Sequence, residues 1–167
     1  IRVVTPSIRR VPPECISPRA KTQNYINLHL ADLEAKDRDP QAWGVTLDMN
    51  GNLCEGVGSN VFLVKDGKLF TPLRQYVLAG LSRETVIKLA KALGIEVVEK
   101  NLDLYDAHNA DEAFLTSTSL CLCPVTSFNG ADLSASMNAN SITRTLIQAF
   151  SAHVDCDFEQ QYLSHMD

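Results

Sequence analysis

Apolar residues recur along this chain at two spacings, and the change from one to the other divides it into strands and helices. Residues 1–10 alternate loosely, as a first strand would. Prolines at 12, 13 and 18 predict an extended approach to the next element. Over 24–36, Ile26, Leu30 and Leu33 stand at i, i+4 and i+7, which predicts a helix with that apolar face, ending in the charged stretch 34–40. Residues 42–48 read as a strand with Trp43, Val45 and Leu47 on one face; Asn50-Gly51 marks a hairpin and 52–55 return. Gly56-Val57-Gly58-Ser59 reads as a flexible crossing. Residues 60–65 and 68–71 are strands joined by the turn pair Asp66-Gly67.

Ser82 opens a second helix, with Val86, Leu89, Ala90 and Leu93 at i, i+3, i+4 and i+7 and Gly94 as its stop. A strand over 95–99, a short helical piece near 103–109 and strands over 112–119 and 125–128 follow, then an Asn129-Gly130 turn. Residues 141–153 form an amphipathic helix with Ile142, Leu146, Ala149 and Phe150 on one face; the tail from Asp155 is polar with isolated aromatics. No internal repeat or low-complexity segment interrupts this order. About eight or nine strands, many joined by tight hairpins, with three main helices, predict an α+β architecture rather than a doubly wound sheet.

Composition narrows the partners. At 167 residues, 45% hydrophobic and 21% charged, the chain suits one globular domain with a real core. A net charge of -5 and a pI near 5.3 argue against nucleic acid. No apolar run approaches the roughly 20 residues that cross a bilayer, and the first residues lack a secretory core. The five cysteines are scattered; Cys121-x-Cys123 puts two thiols on one strand face without a second pair or a histidine. All five are read as reduced, no metal site is expected, and a cytoplasmic location follows. The opening at Ile1, an apolar segment followed by a basic, proline-containing stretch, reads as a piece of a larger protein.

Four parts carry candidate chemistry. Lys21 precedes the first helix closely enough for its backbone to be pinned and its amine aimed. Glu55 ends a strand and is followed by small residues, so a flat ligand can approach it. Gly80-Leu81-Ser82-Arg83 opens a helix, whose free N–H groups form an anion site to which a serine hydroxyl adds a donor. Thr116-Ser117-Thr118-Ser119 places four hydroxyls at a strand end, where they can bond a phosphate. Read singly, these are also a solvated lysine, a surface loop, an N-cap and turn chemistry. Together, an amine, a carboxylate and two phosphate-binding elements are the set required by pyridoxal 5'-phosphate.

In these words the chain resembles the class IV aminotransferases, the fold-type IV pyridoxal phosphate enzymes that include branched-chain and D-amino acid aminotransferases and aminodeoxychorismate lyase. The matching stretches are 20–25, 55–62, 78–83 and 114–118, with Asp111-Glu112 before the last, in order over about residues 5–150. The resemblance implies the large C-terminal domain of the D-amino acid aminotransferase-like fold, a pseudo-barrel of mostly antiparallel strands with flanking helices. Residues 1–20 would be the interdomain linker and first strand, and 21–167 the cofactor domain. A small N-terminal domain, which in the family supplies a phosphate-binding arginine and much of the substrate-carboxylate pocket, would lie outside the chain.

Carried over, Lys21 is the Schiff-base lysine and Glu55 the partner of the pyridine nitrogen. Leu78 packs on the ring, Leu81 and Ser82 hold the phosphate through N–H groups and a hydroxyl, and Ser117 and Thr118 reach it from the other side. Ser59 and Asn60 support the glutamate. Tyr25 matches the family's tyrosine near the ring oxygen, although it stands one residue nearer to the lysine than in branched-chain enzymes. Cys121 and Cys123 replace residues that are more usually polar. The implied activity is transamination between a branched-chain L-amino acid or D-amino acid and a 2-oxo acid, in a homodimer. The alternatives are elimination releasing pyruvate, as in aminodeoxychorismate lyase, and a non-catalytic cofactor-binding or structural fragment.

Overall fold

The axis of the sheet is its longest strand, β4 (Ser59–Lys65), whose side chains are buried on both faces until the terminal lysine. One edge of β4 takes β3 (Leu53–Gly56) at its start and β5 (Lys68–Thr71) at its end; the other takes β7 (Glu112–Ser117) along its length. The computed structural model describes residues 1–165, and among them ten strands and five α-helices are present. Beyond β3 come β2 (Ala42–Leu47), β1 (Arg2–Val4), β9 (Ser127–Phe128) and β10 (Ala131–Asp132). Beyond β5 lies β6 (Val97–Glu99), and beyond β7 lies β8 (Cys121–Val125). Only the pairs β1–β2, β1–β9 and β5–β6 are parallel, so the α+β expectation of a mostly antiparallel sheet holds. The segment expected as linker and first strand carries β1, which lies inside the sheet between β9 and β2.

Alternation along β4 divides the core between the two sheet faces. Val61 and Leu63 meet Val45, Leu53, Leu115 and Val125 on one side. Phe62 and Val64 join Phe114 on the other, under α2 (Leu81–Ala92) and α4 (Ile142–Val154) through Val86, Ile87, Leu146 and Phe150. The Phe62 and Phe114 rings stack at 5.0 Å. Glu112 closes this face by accepting from the Ile142 and Thr143 N–H groups and from the Thr143 hydroxyl, which caps α4 with a carboxylate where the helix is most electropositive.

Several elements depart from the pattern-based expectation. The first helix, α1, spans Ile26–Arg38, and Ile26, Leu30 and Leu33 are its exposed side. Leu28, Ala31 and Ala35 are buried instead. The cause is close packing on β2: a Cβ on Gly44 would lie 3.2 Å from the Asp32 Cα and 3.4 Å from the Ala31 carbonyl. Only small residues at the Gly44 contact, Ala31 and Ala35, let the helix sit that near, so size outweighs hydrophobicity there. The approach to α1 is not extended. Pro12 accepts from Cys15 and Ile16, and Ser17 from Ala20, so prolines 13 and 18 sit in turns rather than in a strand.

The expected flexible crossing at 56–59 is a two-residue hairpin loop, with Gly56 opposite Ser59 and Gly58 at φ +75°. The second helix starts at Leu81 with Gly80 as its N-cap, one residue ahead of the expected start. The strand expected to run to residue 119 stops at Ser117, turns, and returns as β8, and the strand expected over 125–128 is divided between the end of β8 and β9. The tail holds a further helix, α5 (Phe158–Leu163), because Phe158 packs edge-on against Phe150 at 5.6 Å. A short helix, α3 (Leu104–His108), falls within the expected 103–109 piece and begins with an Asp103–Asp106 capping box.

Candidate active site

The ends of β3, β4 and β7, the start of α2 and the approach to α1 surround one open cleft of about 280 Å³. Register explains its polar floor. Glu55 stands opposite Asn60, and Asn60 opposite Thr116, so three buried polar side chains form a row on one face across three strands. Every site residue expected from the sequence lines this cleft: Lys21, Tyr25, Glu55, Ser59, Asn60, Leu78, Leu81, Ser82, Ser117 and Thr118.

Lys21 is exposed and sits at the centre of a γ-turn closed by the Thr22 N–H on the Ala20 carbonyl at 2.8 Å. A turn, rather than a strand end, therefore pins its backbone. Gln23 follows at φ +62°, a left-handed conformation that a non-glycine residue rarely adopts and that turns the chain into α1. Tyr25, half-buried, occupies the N-cap of that helix with its ring 6.1 Å from His29.

Glu55 is 4% exposed, and each of its carboxylate oxygens accepts one hydrogen bond. Its Oε2 accepts from the Leu78 N–H at 2.8 Å, and its Oε1 from Arg10 Nε at 3.0 Å. Burial pushes the carboxyl above its ordinary range, while the Leu78 N–H and the Arg10 guanidinium pull it down. The Asn60 amide donates to the Leu78 carbonyl at 2.9 Å, so the Leu78 peptide is held at both ends by the sheet. The same segment closes a second γ-turn, Gly80 N–H to Leu78 carbonyl at 2.9 Å, that feeds the chain into α2.

At the start of α2 the N-cap glycine offers no side-chain acceptor, so the first-turn N–H groups remain open toward the cleft. The Ser82 hydroxyl donates to the Ser117 carbonyl at 2.8 Å and ties the helix to the β7–β8 turn. In that turn Ser117 Oγ is 3.1 Å from Ser119 Oγ and accepts from the Leu120 N–H, while Thr118 is exposed. Two buried hydroxyls among the cleft-lining residues, Ser59 Oγ and Thr116 Oγ1, have no hydrogen-bond partner among the described residues. An orphaned hydroxyl beside an uncapped helix start and a hydroxyl-rich turn fits a phosphate-bearing ligand, and a buried carboxylate beside them fits a ring carrying an N–H. The residues present suit pyridoxal phosphate.

The sequence reading did not assign Arg10 or Thr116. Thr116 belonged to the hydroxyl run, but its separate role depends on strand register. Arg10 lay in the basic, proline-flanked stretch, and only its contact with a residue 45 positions away distinguishes it. No group of three or more His, Cys, Asp or Glu able to hold a metal occurs among the described residues, and no helix there is long and apolar enough to cross a membrane.

Fold and cleft together fit the amino-transferase class IV family. The model of the amino-transferase class IV family matches residues 1–128, and the chain belongs to that family. It is 39% identical over 152 residues to the branched-chain-amino-acid aminotransferase of Escherichia coli strain K12, covering 90% of this chain and 48% of the relative. The solved structure of the Escherichia coli branched-chain enzyme superposes with a TM-score of 0.84 at 37% identity, over 91% of this chain and 50% of that one. A second solved branched-chain enzyme, from T.th. and complexed with N-(5'-phosphopyridoxyl)-L-glutamate, superposes with a TM-score of 0.82 at 31% identity, over 89% and 50%. The chain thus spans about half the length of these relatives.

Proposed function

We propose that this chain carries the cofactor-binding part of a pyridoxal 5'-phosphate aminotransferase, and that the whole enzyme moves an amino group from a branched-chain amino acid to a 2-oxo acid. The observation that carries the reading is the meeting of Lys21, Glu55, the open start of α2 and the β7–β8 turn in one cleft. The names of the relatives support the branched-chain substrate, and their greater length supports a pocket completed by residues beyond this span; the homodimer rests on the family resemblance alone.

When bound, pyridoxal phosphate supplies an aldehyde that condenses with an amine and a ring that takes up electrons as a carbon–hydrogen bond breaks. Lys21 would supply the amine, and its Nζ would take a proton from one carbon and return it to a carbon two bonds away. Glu55 holds a proton on the ring nitrogen. The Leu81 and Ser82 N–H groups would hold the phosphate, with Ser117 and Thr118 on the facing turn. The Ser82 hydroxyl acts mainly by joining those two walls, since its hydrogen lies on the Ser117 carbonyl. Leu78 would cover one ring face and Tyr25 would stand near the ring oxygen, while Asn60 and Ser59 steady the strand ends.

Mixing the purified chain with pyridoxal phosphate tests this. The wild type should develop a visible absorbance band that survives gel filtration, and Lys21→Ala should not. A band of equal strength in Lys21→Ala would refute the assignment.

A further inference from the structure

Behind Glu55 stands a residue that the proposed reaction does not use. Arg10 donates from Nε to Glu55 Oε1 at 3.0 Å, and the two side chains are 12% and 6% exposed. The backbone around it is clamped from two elements. The Arg10 N–H donates to the Leu47 carbonyl at the end of β2, at 2.9 Å. On α1, the Asn27 amide accepts from the Val11 N–H at 3.0 Å and donates to the Arg9 carbonyl at 2.9 Å, so one side chain grips both neighbours of Arg10.

Stability alone explains this pair poorly. Desolvating two charges offsets most of their attraction, and a buried ion pair is often no more stable than apolar residues of similar volume. Its position is more informative. The pair closes the cleft behind the carboxylate, and the same helix that anchors Arg10 through Asn27 is the one that Lys21 leads into.

We infer that Arg10 is a positioning residue that keeps the Glu55 carboxylate ionised and turned toward the cleft, ready for a ligand bearing a cationic N–H. This rests on the reading above, in which that ligand is the protonated ring of pyridoxal phosphate. A buried carboxyl without the guanidinium takes up a proton of its own, and a neutral carboxylic acid holds a second proton on the ring nitrogen far less well. The other titratable groups near Glu55 are Lys21 and Tyr25 across the cleft, and Asp48 and Cys54 behind it beside Arg10. The start of α2 adds a positive dipole end. Among the described residues, Arg10 is the charged group that bonds the carboxylate directly.

The test has two arms on the full chain. In the first, without cofactor, the Glu55 carboxyl carbon is followed by ¹³C NMR against pH. Arg10→Gln should raise its midpoint by about one to three pH units. Arg10→Lys, which keeps the charge and covers the case in which Arg10→Gln does not fold, should raise it less. Asn27→Ala, which loosens the clamp without touching the carboxyl, should shift it slightly in the same direction. In the second arm, pyridoxal phosphate affinity is measured by absorbance titration. Arg10→Gln should lose about tenfold when Glu55 is present, and much less in a Glu55→Gln background. An unmoved Glu55 midpoint overturns the inference, and so does an equal loss of affinity in both backgrounds, which is the mark of simple scaffolding. If the wild type binds no pyridoxal phosphate, the cofactor assignment falls, and the first arm still decides whether Arg10 controls the charge of Glu55.

Discussion

Replacing Gly80 by alanine tests how tightly the sheet and the start of α2 are fitted to each other. The glycine is not required by backbone conformation, since its φ of -66° and ψ of 142° suit any residue. It is required by space: a Cβ there would lie 2.5 Å from Asn60 Oδ1. Asn60 is 6% exposed and its amide is committed to the Leu78 carbonyl at 2.9 Å, so it cannot swing aside without losing that bond. Overpacking of this kind costs about 1–3 kcal/mol. The loss of glycine freedom in the unfolded chain returns about 0.4–1 kcal/mol. The net destabilisation is then about 1–2 kcal/mol, or a fall in Tm of about 2–8 °C for a chain of this size.

Thermal melts of wild type, Gly80→Ala, Asn60→Ala and the double variant check this. With Asn60 truncated the obstacle is gone, and Gly80→Ala should become neutral or slightly stabilising. The same substitution should weaken pyridoxal phosphate binding in the Asn60 background, because the displaced segment carries the Leu81 and Ser82 N–H groups. A Gly80→Ala chain as stable as wild type, or one destabilised equally in both backgrounds, would show that the Asn60 contact is not what reserves this position for glycine.

Two further predictions concern parts away from the cleft. Glu112→Gln replaces a carboxylate that accepts from the Ile142 and Thr143 N–H groups and the Thr143 hydroxyl, turning an amide N–H₂ toward donors. It should lower stability by about 1–3 kcal/mol in denaturant titration, and an unchanged midpoint would remove Glu112 as the cap of α4. Asp39 is held down to about 2 by its hydrogen bond from Arg2, helped by the Gln41 N–H. The unfolded chain therefore binds more protons between about pH 4 and pH 2, and stability falls as the pH drops through that window. Asp39→Asn should lose less stability than wild type over that range, and equal losses would show that the Arg2 pair does not contribute.

The site was legible where its parts are short, local words. Lys21, Glu55, Leu81 and Ser82 each stand beside a turn or helix start that nearby residues specify, and glycines or hydroxyls mark those places. Parts whose meaning depends on a distant partner were not legible. Arg10 is one of several basic residues until Glu55 is placed against it, and Thr116 is one hydroxyl of four until register sets it beside Asn60. The inner face of α1 was misread because large apolar residues usually turn inward, whereas contact with Gly44 admits only small ones.

By itself, the sequence determined the alternation of strands and helices and most of the tight turns, because these follow from propensity and periodicity, and through its resemblance to a family it named many of the residues that line the cleft. Tertiary structure alone decided which faces are buried, where the hydroxyl run bends back into β8, and that Glu55 is gripped by Arg10 and the Leu78 peptide. These depend on which elements come together across the sheet, and a contact between residues far apart in the chain leaves no periodic trace in either of them.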